Sequence, residues 1–309
     1  MIAKINARVG LHSLLVWGEE RLYQNDVQGG KWPDLTMKPG AMNQPDPILF
    51  PMTGPLLPAR DVRKGYEFDG QFYHVAGKAF KPEDPVFLYK EKAYSMKQHG
   101  FARDRELEVL HVSETACTLR LQSDAETLQM YPFAFEFLLS YELIEDGFVK
   151  TQSVKSTGAD SLFFSIGEHT ALKIEGSIAQ YELIFDQKEP FYLVHPTHGR
   201  IEIVGGRLPL SEDLIVNKNT LSLENYKSKV CTVCKNGEII MIYDVEAVDL
   251  HIWTSDNQNF LCVEPWNGAG GALNEIQESL SAGTLMQLEG GESYVVTRKM
   301  SFPFTSEVC

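Results

Sequence analysis

The chain has 309 residues, 43% of them hydrophobic, with 17 Phe and 12 Tyr, enough to bury a sizeable core. Its 42 acidic against 28 basic residues give a formal net charge of -14. Such an acidic surface repels phosphate backbones and anionic lipid, so neither nucleic acid nor a membrane surface is expected as a partner.

In chain order, the start Met1-Ile2-Ala3-Lys4-Ile5-Asn6-Ala7-Arg8 lacks the apolar stretch and small-residue cleavage site of a signal peptide. No apolar run reaches the roughly 18–20 residues that a membrane-spanning helix needs. The expected location is cytoplasmic. Segment 26–60 is rich in Pro and Gly and is predicted as loop, because Pro cannot donate to a central sheet ladder. Runs at 106–112, 115–122, 135–144, 148–155, 161–166, 181–186, 201–204, 238–243, 248–253, 259–264 and 293–298 are predicted as strands. They are rich in β-branched or aromatic residues and bounded by Asn, Asp or Gly turn signals. Helical period is rare, and 273–280 carries it best. Strands spaced this closely, with few short helices, predict an all-β fold, an antiparallel sandwich or barrel. No linker, low-complexity tract or internal repeat divides the chain, so one domain over 1–309 is expected.

The five cysteines are an odd count. Cys117 and Cys262 lie in apolar, strand-like contexts. Cys231 and Cys234 form a Cys-x-x-Cys, but no second such pair or nearby His pair completes four ligands. On a strand, i and i+3 also point to opposite faces. Structural thiols are therefore expected rather than a metal or redox site. His195-Pro196-Thr197-His198 has no carboxylate partner and is read as a surface turn.

Three stretches carry chemistry: Gln98-His99-Gly100-Phe101-Ala102-Arg103-Asp104, Ser165-Ile166-Gly167-Glu168-His169 and Val263-Glu264-Pro265-Trp266-Asn267-Gly268. Alternation puts Phe260, Cys262 and Glu264 on one side of a strand and Leu261 and Val263 on the other. Both faces are apolar, so this strand is predicted to be buried on both, ending at Pro265. A carboxylate there would be poorly solvated, which raises its pKa towards the range useful to a general base; an ion-paired strand-end Glu is the alternative. His169 follows a strand-ending Gly and is predicted on a loop over the sheet, able to hold or give a proton near neutrality. His99 stands before Gly100, which permits close backbone approach, and four residues before Arg103.

Pro47-Ile48-Leu49-Phe50-Pro51 with Gly54, His99-Gly100-Phe101-Ala102-Arg103, Tyr131-Pro132-Phe133, Gly167-Glu168-His169, Ile252-Trp253 and Cys262-Val263-Glu264-Pro265-Trp266 resemble, in order and interval, the signposts of the aldose 1-epimerase (galactose mutarotase) family. The resemblance covers nearly the whole chain. It implies a large antiparallel β-sandwich, the galactose mutarotase-like supersandwich, with a sugar in an open cleft across one sheet. It also implies Glu264 as general base, His169 as general acid and His99 as a sugar ligand, with Arg103 beside it. No cofactor is implied, in keeping with the incomplete metal-ligand sets and the missing Gly-rich phosphate loop.

Two departures bear on the sugar. Family members commonly read Gly-Arg-Leu where this chain reads Gly54-Pro55-Leu56, so a substrate-binding arginine is missing unless Arg60 or Arg63 substitutes. The histidine segment also lacks the family's Gly-His-Pro form. A hexose is the expected partner, bound by a monomer or homodimer. The alternatives are a hexose 6-phosphate epimerase, a non-catalytic sugar-binding protein, and a glycoside hydrolase with Glu168 or Asp104 as second carboxylate.

Overall fold

The computed structural model describes residues 2–6, 10–16, 18–22, 45–56, 74–75, 78–79, 86–90, 92–195, 198–215, 220–254 and 259–303. Two large antiparallel sheets dominate it, as the strand spacing predicts.

The first has nine strands. Phe135–Ile144 and Gly147–Ser156 form a hairpin within it, with Ile144 opposite Gly147 across a two-residue turn. Phe135, Phe137, Leu139 and Tyr141 are buried while their sequence neighbours are less so, the period-2 pattern of a sheet with one covered face. The second sheet has seven strands. Its key member is Phe260–Asn267, which pairs with Asp249–Trp253 on one side. On the other side it pairs with two short strands, Ile166–Gly167 and Ala171–Lys173.

The sheets stack as a β-sandwich. Their inner faces share one hydrophobic cluster that includes Phe137, Val154 and Leu139 from the first sheet and Leu250, Leu261 and Val263 from the second. Phe50 stands at its centre, its ring 4.8 Å from that of Phe137 and 4.9 Å from that of Phe135.

The structure departs from the sequence reading in several places. The described part of segment 26–60 is irregular, as predicted, and residues 45–54 are all buried. Pro47 to Pro51 supplies apolar side chains to the core, so the lack of a ladder did not keep it outside. The strand at 259–264 continues through Pro265 to Asn267. A proline can sit in a ladder where its missing N–H is not required, and the Pro265 carbonyl still accepts from the Glu168 N–H at 3.2 Å. All eight residues of that strand are buried, in agreement with the prediction of two covered faces. Strands Phe191–His195 and Leu221–Glu224 were not anticipated. The helical period at 273–280 resolves into a 3-10 turn, Ala272–Glu275, and a short helix, Ile276–Ser281.

His195 is a correction: it ends a strand and is buried rather than exposed in a surface turn. Its Nδ1 accepts from the His198 N–H at 3.0 Å, and its Nε2 lies 3.1 Å from the Leu214 carbonyl. Cys231 is a buried thiol, as expected, whereas Cys234 is disulfide-bonded and not a thiol. A bulge between Val233 and Cys234 buries both cysteines, which regular alternation would have separated.

Candidate active site on the Phe260–Asn267 ladder

The site follows from strand register. Gly167 pairs with Trp266, and Ala171 pairs with Cys262. The register is the same on both sides of the gap, so His169 falls opposite Glu264. On the other edge, His251 pairs directly with Glu264. One row across three strands therefore reads His169, Glu264, His251. The His169 Nε2 lies 3.5 Å from the Glu264 Oε2. His169 lies, as expected, outside any strand, in the link between Ile166–Gly167 and Ala171–Lys173, but in line with the sheet rather than above it.

Alternation sends the neighbours of His169 the other way. Glu168 and Thr170 point between the sheets, where Lys150 of the strand Gly147–Ser156 is sealed. The Lys150 ammonium donates to both oxygens of Asp46 at 2.9 Å and contacts Glu168 at 2.9 Å. Asp46 also accepts from the Tyr141 hydroxyl at 2.7 Å and the Thr170 hydroxyl at 2.8 Å. Burial alone would favour loss of the Lys150 proton, but Asp46 and Glu168 outweigh it and hold the ammonium above its ordinary pKa. This ionic cluster fixes residues 168 and 170 from behind and so fixes the direction of His169. Its partner Glu168 lies on the inner side of the sheet, away from Glu264, and cannot serve as a second carboxylate beside it.

Two other segments complete the pocket. Gly54 and His99 exchange hydrogen bonds: the His99 N–H donates to the Gly54 carbonyl at 2.8 Å, and the Gly54 N–H donates to the His99 Nδ1 at 3.1 Å. Neutral His99 therefore carries its proton on Nε2. Gly100 adopts φ +74, and a Cβ there would stand 2.3 Å from the Phe50 carbonyl oxygen, so only glycine permits the approach. The Phe101 and Ala102 N–H groups then both donate to that carbonyl at 3.1 Å. Gly167 is required as well, because a Cβ would meet the Trp266 ring at 2.5 Å. The His99 ring lies 5.4 Å from that of His169 and 5.6 Å from that of Trp266. Arg103, on the turn Ala102–Asp104, is near enough for its charge to depress the pKa of both His99 and His169.

Desolvation governs the electrostatics. Burial pushes the Glu264 carboxyl well above its ordinary pKa, with the Trp266 side chain working weakly in the opposite direction. Burial, then the Arg103 charge, lowers His169 to about 3. His99 is pushed well below its usual value, first by burial and then by His169, Arg103 and His251. A dry pocket favours the uncharged form of every group in it.

The structure thus brings Glu264, His169, His99 and Arg103 together. Arg60 and Arg63 lie outside the described residues, and Pro55 is exposed. Asp104 pairs with Lys97 at 2.9 Å. Sequence reasoning missed His251. Its Nδ1 lies 2.8 Å from the Ser222 hydroxyl, its ring packs 4.0 Å from that of Trp266, and its buried Nε2 has no hydrogen-bond partner among the described residues. It also missed Asp249, opposite Trp266 on the same face, whose pKa burial raises. Alternation along 248–253 was the signal available: it places Asp249, His251 and Trp253 together, but not beside Glu264.

The fold is a two-layer antiparallel sandwich that sets a buried carboxylate and a buried imidazole facing each other on one sheet. The chain belongs to the aldose 1-epimerase family, whose model matches residues 51–287. It is 25% identical over 255 residues to the chromosomal LacX protein of Lactococcus lactis subsp. lactis, covering 77% of this chain and 78% of that one. In fold it is similar to a galactose mutarotase-like protein from Lactobacillus casei, with TM-score 0.74 and 23% identity over 97% of this chain and 96% of that one. It is similar also to a galactose mutarotase related enzyme from Lactobacillus acidophilus, with TM-score 0.74 and 19% identity over 99% and 95%. No helix among the described residues is long and apolar enough to cross a membrane.

Proposed function

We propose that the protein is a mutarotase that interconverts the α and β anomers of a hexose by acid/base ring opening and closing. The observation that supports this reading is the placement of His169 opposite Glu264, 3.5 Å apart, with both side chains buried. In opening, Glu264 takes the proton of the anomeric hydroxyl while His169 gives one to the ring oxygen. The C1–ring oxygen bond breaks and a free aldehyde forms. Rotation about C1–C2 presents the other carbonyl face, and the reverse transfers close the ring as the other anomer.

The pair needs one proton between its two members. With the proton on His169 it is set for opening; with the proton on Glu264 it is set for closing. Burial favours the second form, and a sugar's hydroxyls supply polar contacts that let the proton move. His99 donates from Nε2 to a sugar oxygen, and Arg103 and His251 line the same space. The chemistry needs no metal.

The substrate is a neutral hexose, because the net charge of -14 works against a phosphorylated sugar. The chain acts as a single domain in the cytoplasm, as a monomer or homodimer. Polarimetry with freshly dissolved pure anomers of glucose, galactose and their 6-phosphates tests the reading. Acceleration with a neutral hexose is the expected result. Faster exchange of the 6-phosphates would make it a hexose-phosphate epimerase, and sugar binding without acceleration would make it a binding protein.

A further inference from the structure

Cys262 stands two residues before Glu264 on the same face of the strand, opposite Ala171. It belongs to a small apolar cluster with Ala171 and Phe260, packed against Trp253, on the outer side of the sheet and apart from the main core. The Cys262 sulfur, a ring nitrogen of His169 and a carboxylate oxygen of Glu264 all lie within 4.8 Å of one another. Among the described residues, this is the group of three such ligands that the fold assembles.

We propose that this triad is an inhibitory site for a thiophilic divalent cation, Zn²⁺ or Cd²⁺, which excludes the sugar; the exclusion rests on the mutarotase reading, the binding does not. Zn²⁺ takes sulfur at about 2.3 Å and nitrogen or oxygen at about 2.0–2.2 Å in a tetrahedron, so ligand atoms stand roughly 3.5 Å apart. The His169 Nε2 and Glu264 Oε2 already stand at 3.5 Å, and the sulfur lies within 4.8 Å of its partners. Binding releases the Cys262 and Glu264 protons to solvent; the resulting thiolate and carboxylate, with one neutral imidazole, cancel the charge of the ion, which suits a pocket that disfavours net charge. The fourth position stays open, as in three-ligand zinc sites.

The ligand set selects the ion. Mg²⁺ and Ca²⁺ require six or more oxygens, which this pocket does not offer, whereas a thiolate favours softer cations. The nearby Arg103 charge opposes any cation, so a thiolate bond is needed to retain one. With the ion in place, both Glu264 and His169 are ligated and neither can move a proton.

The test titrates the full chain, freed of metal by chelator, with Cd²⁺ alone. One ion per chain should bind, with the ultraviolet sulfur-to-cadmium charge-transfer band and a rise in Tm. Cys262→Ser should abolish the band and weaken binding at least tenfold. Cys262→Ala, which removes the thiol without adding a polar group, serves if the serine variant does not fold. Zn²⁺ should inhibit wild-type anomer exchange competitively and lose that effect in either variant. A band that survives in both variants would assign the metal to another thiol and overturn the proposal, as would the absence of binding in the wild type. Binding at Cys262 in a protein that accelerates no sugar's exchange would uphold the metal site and remove the mutarotase reading instead.

Discussion

Lys150 and Glu168 form an ion pair of 2.9 Å sealed between the two sheets, while the residue next to Glu168 in the chain, His169, faces Glu264 on the opposite side. One short segment therefore carries an anchor inward and a functional group outward. Removing the anchor's cation leaves Asp46 and Glu168 buried without compensation. Lys150→Met should cost about 3–5 kcal/mol, as breaking a buried pair from one side does. The urea midpoint measures it, and a cost below about 1 kcal/mol would show that the cluster does not hold this segment.

Activity should depend on both members of the facing pair. Glu264→Gln and His169→Asn should each lower turnover by roughly 10²–10⁴-fold, with circular dichroism unchanged. Near-wild-type turnover in either variant removes that residue from the mechanism.

The same burial makes opposite predictions for stability and pH. Glu264 has its pKa raised by folding, so its contribution is complete below the unfolded value of about 4.3 and is lost as pH rises above it. Glu264→Gln is permanently neutral and should be more stable than wild type at pH 8, with the gain vanishing near pH 4. His169 is depressed to about 3, so its contribution is complete above about 6.5 and is lost as pH falls from there. His169→Asn should gain stability relative to wild type at acid pH but not at pH 8. Thermal melts across this range decide both, and a difference that does not change with pH would refute the burial argument.

Dialysis against a strong chelator should leave anomer exchange unchanged, because proton transfer between Glu264, His169 and the sugar calls for no Lewis acid. If activity falls and zinc restores it, the metal is part of the machinery rather than an inhibitor.

Specificity should rest on contacts to unreacting hydroxyls. If Arg60 replaces the arginine missing at Pro55, Arg60→Ala should raise KM more than it lowers kcat, since such contacts are equal in ground and transition states. His251→Ala should behave in the same way, because its buried Nε2 has no hydrogen-bond partner among the described residues and it pairs with Glu264 from the neighbouring strand. Unchanged kinetics in both variants would place the sugar elsewhere.

Glu264, His169, His99 and Arg103 could be singled out in the sequence because each stands within three residues of one that constrains the backbone, Pro265, Gly167 or Gly100, and because alternation along 260–264 already buries the carboxylate. The antiparallel all-β class was legible for a related reason: period-2 patterning is local, and it survives folding wherever one face is covered; the choice of sandwich over barrel came from the family resemblance. The roles of His251 and Lys150 were not legible. His251 reaches Glu264 only through the pairing of two strands, and Lys150 reads as an ordinary polar residue until Asp46 and Glu168 arrive from distant segments. Alternation along a strand states which residues share a face, but register between strands and the partner across the sandwich are settled by contacts far apart in sequence. The chain by itself therefore determined its all-β class and its candidate proton-transfer groups, and tertiary structure alone decided that His169 faces Glu264 and that a buried ammonium holds it there.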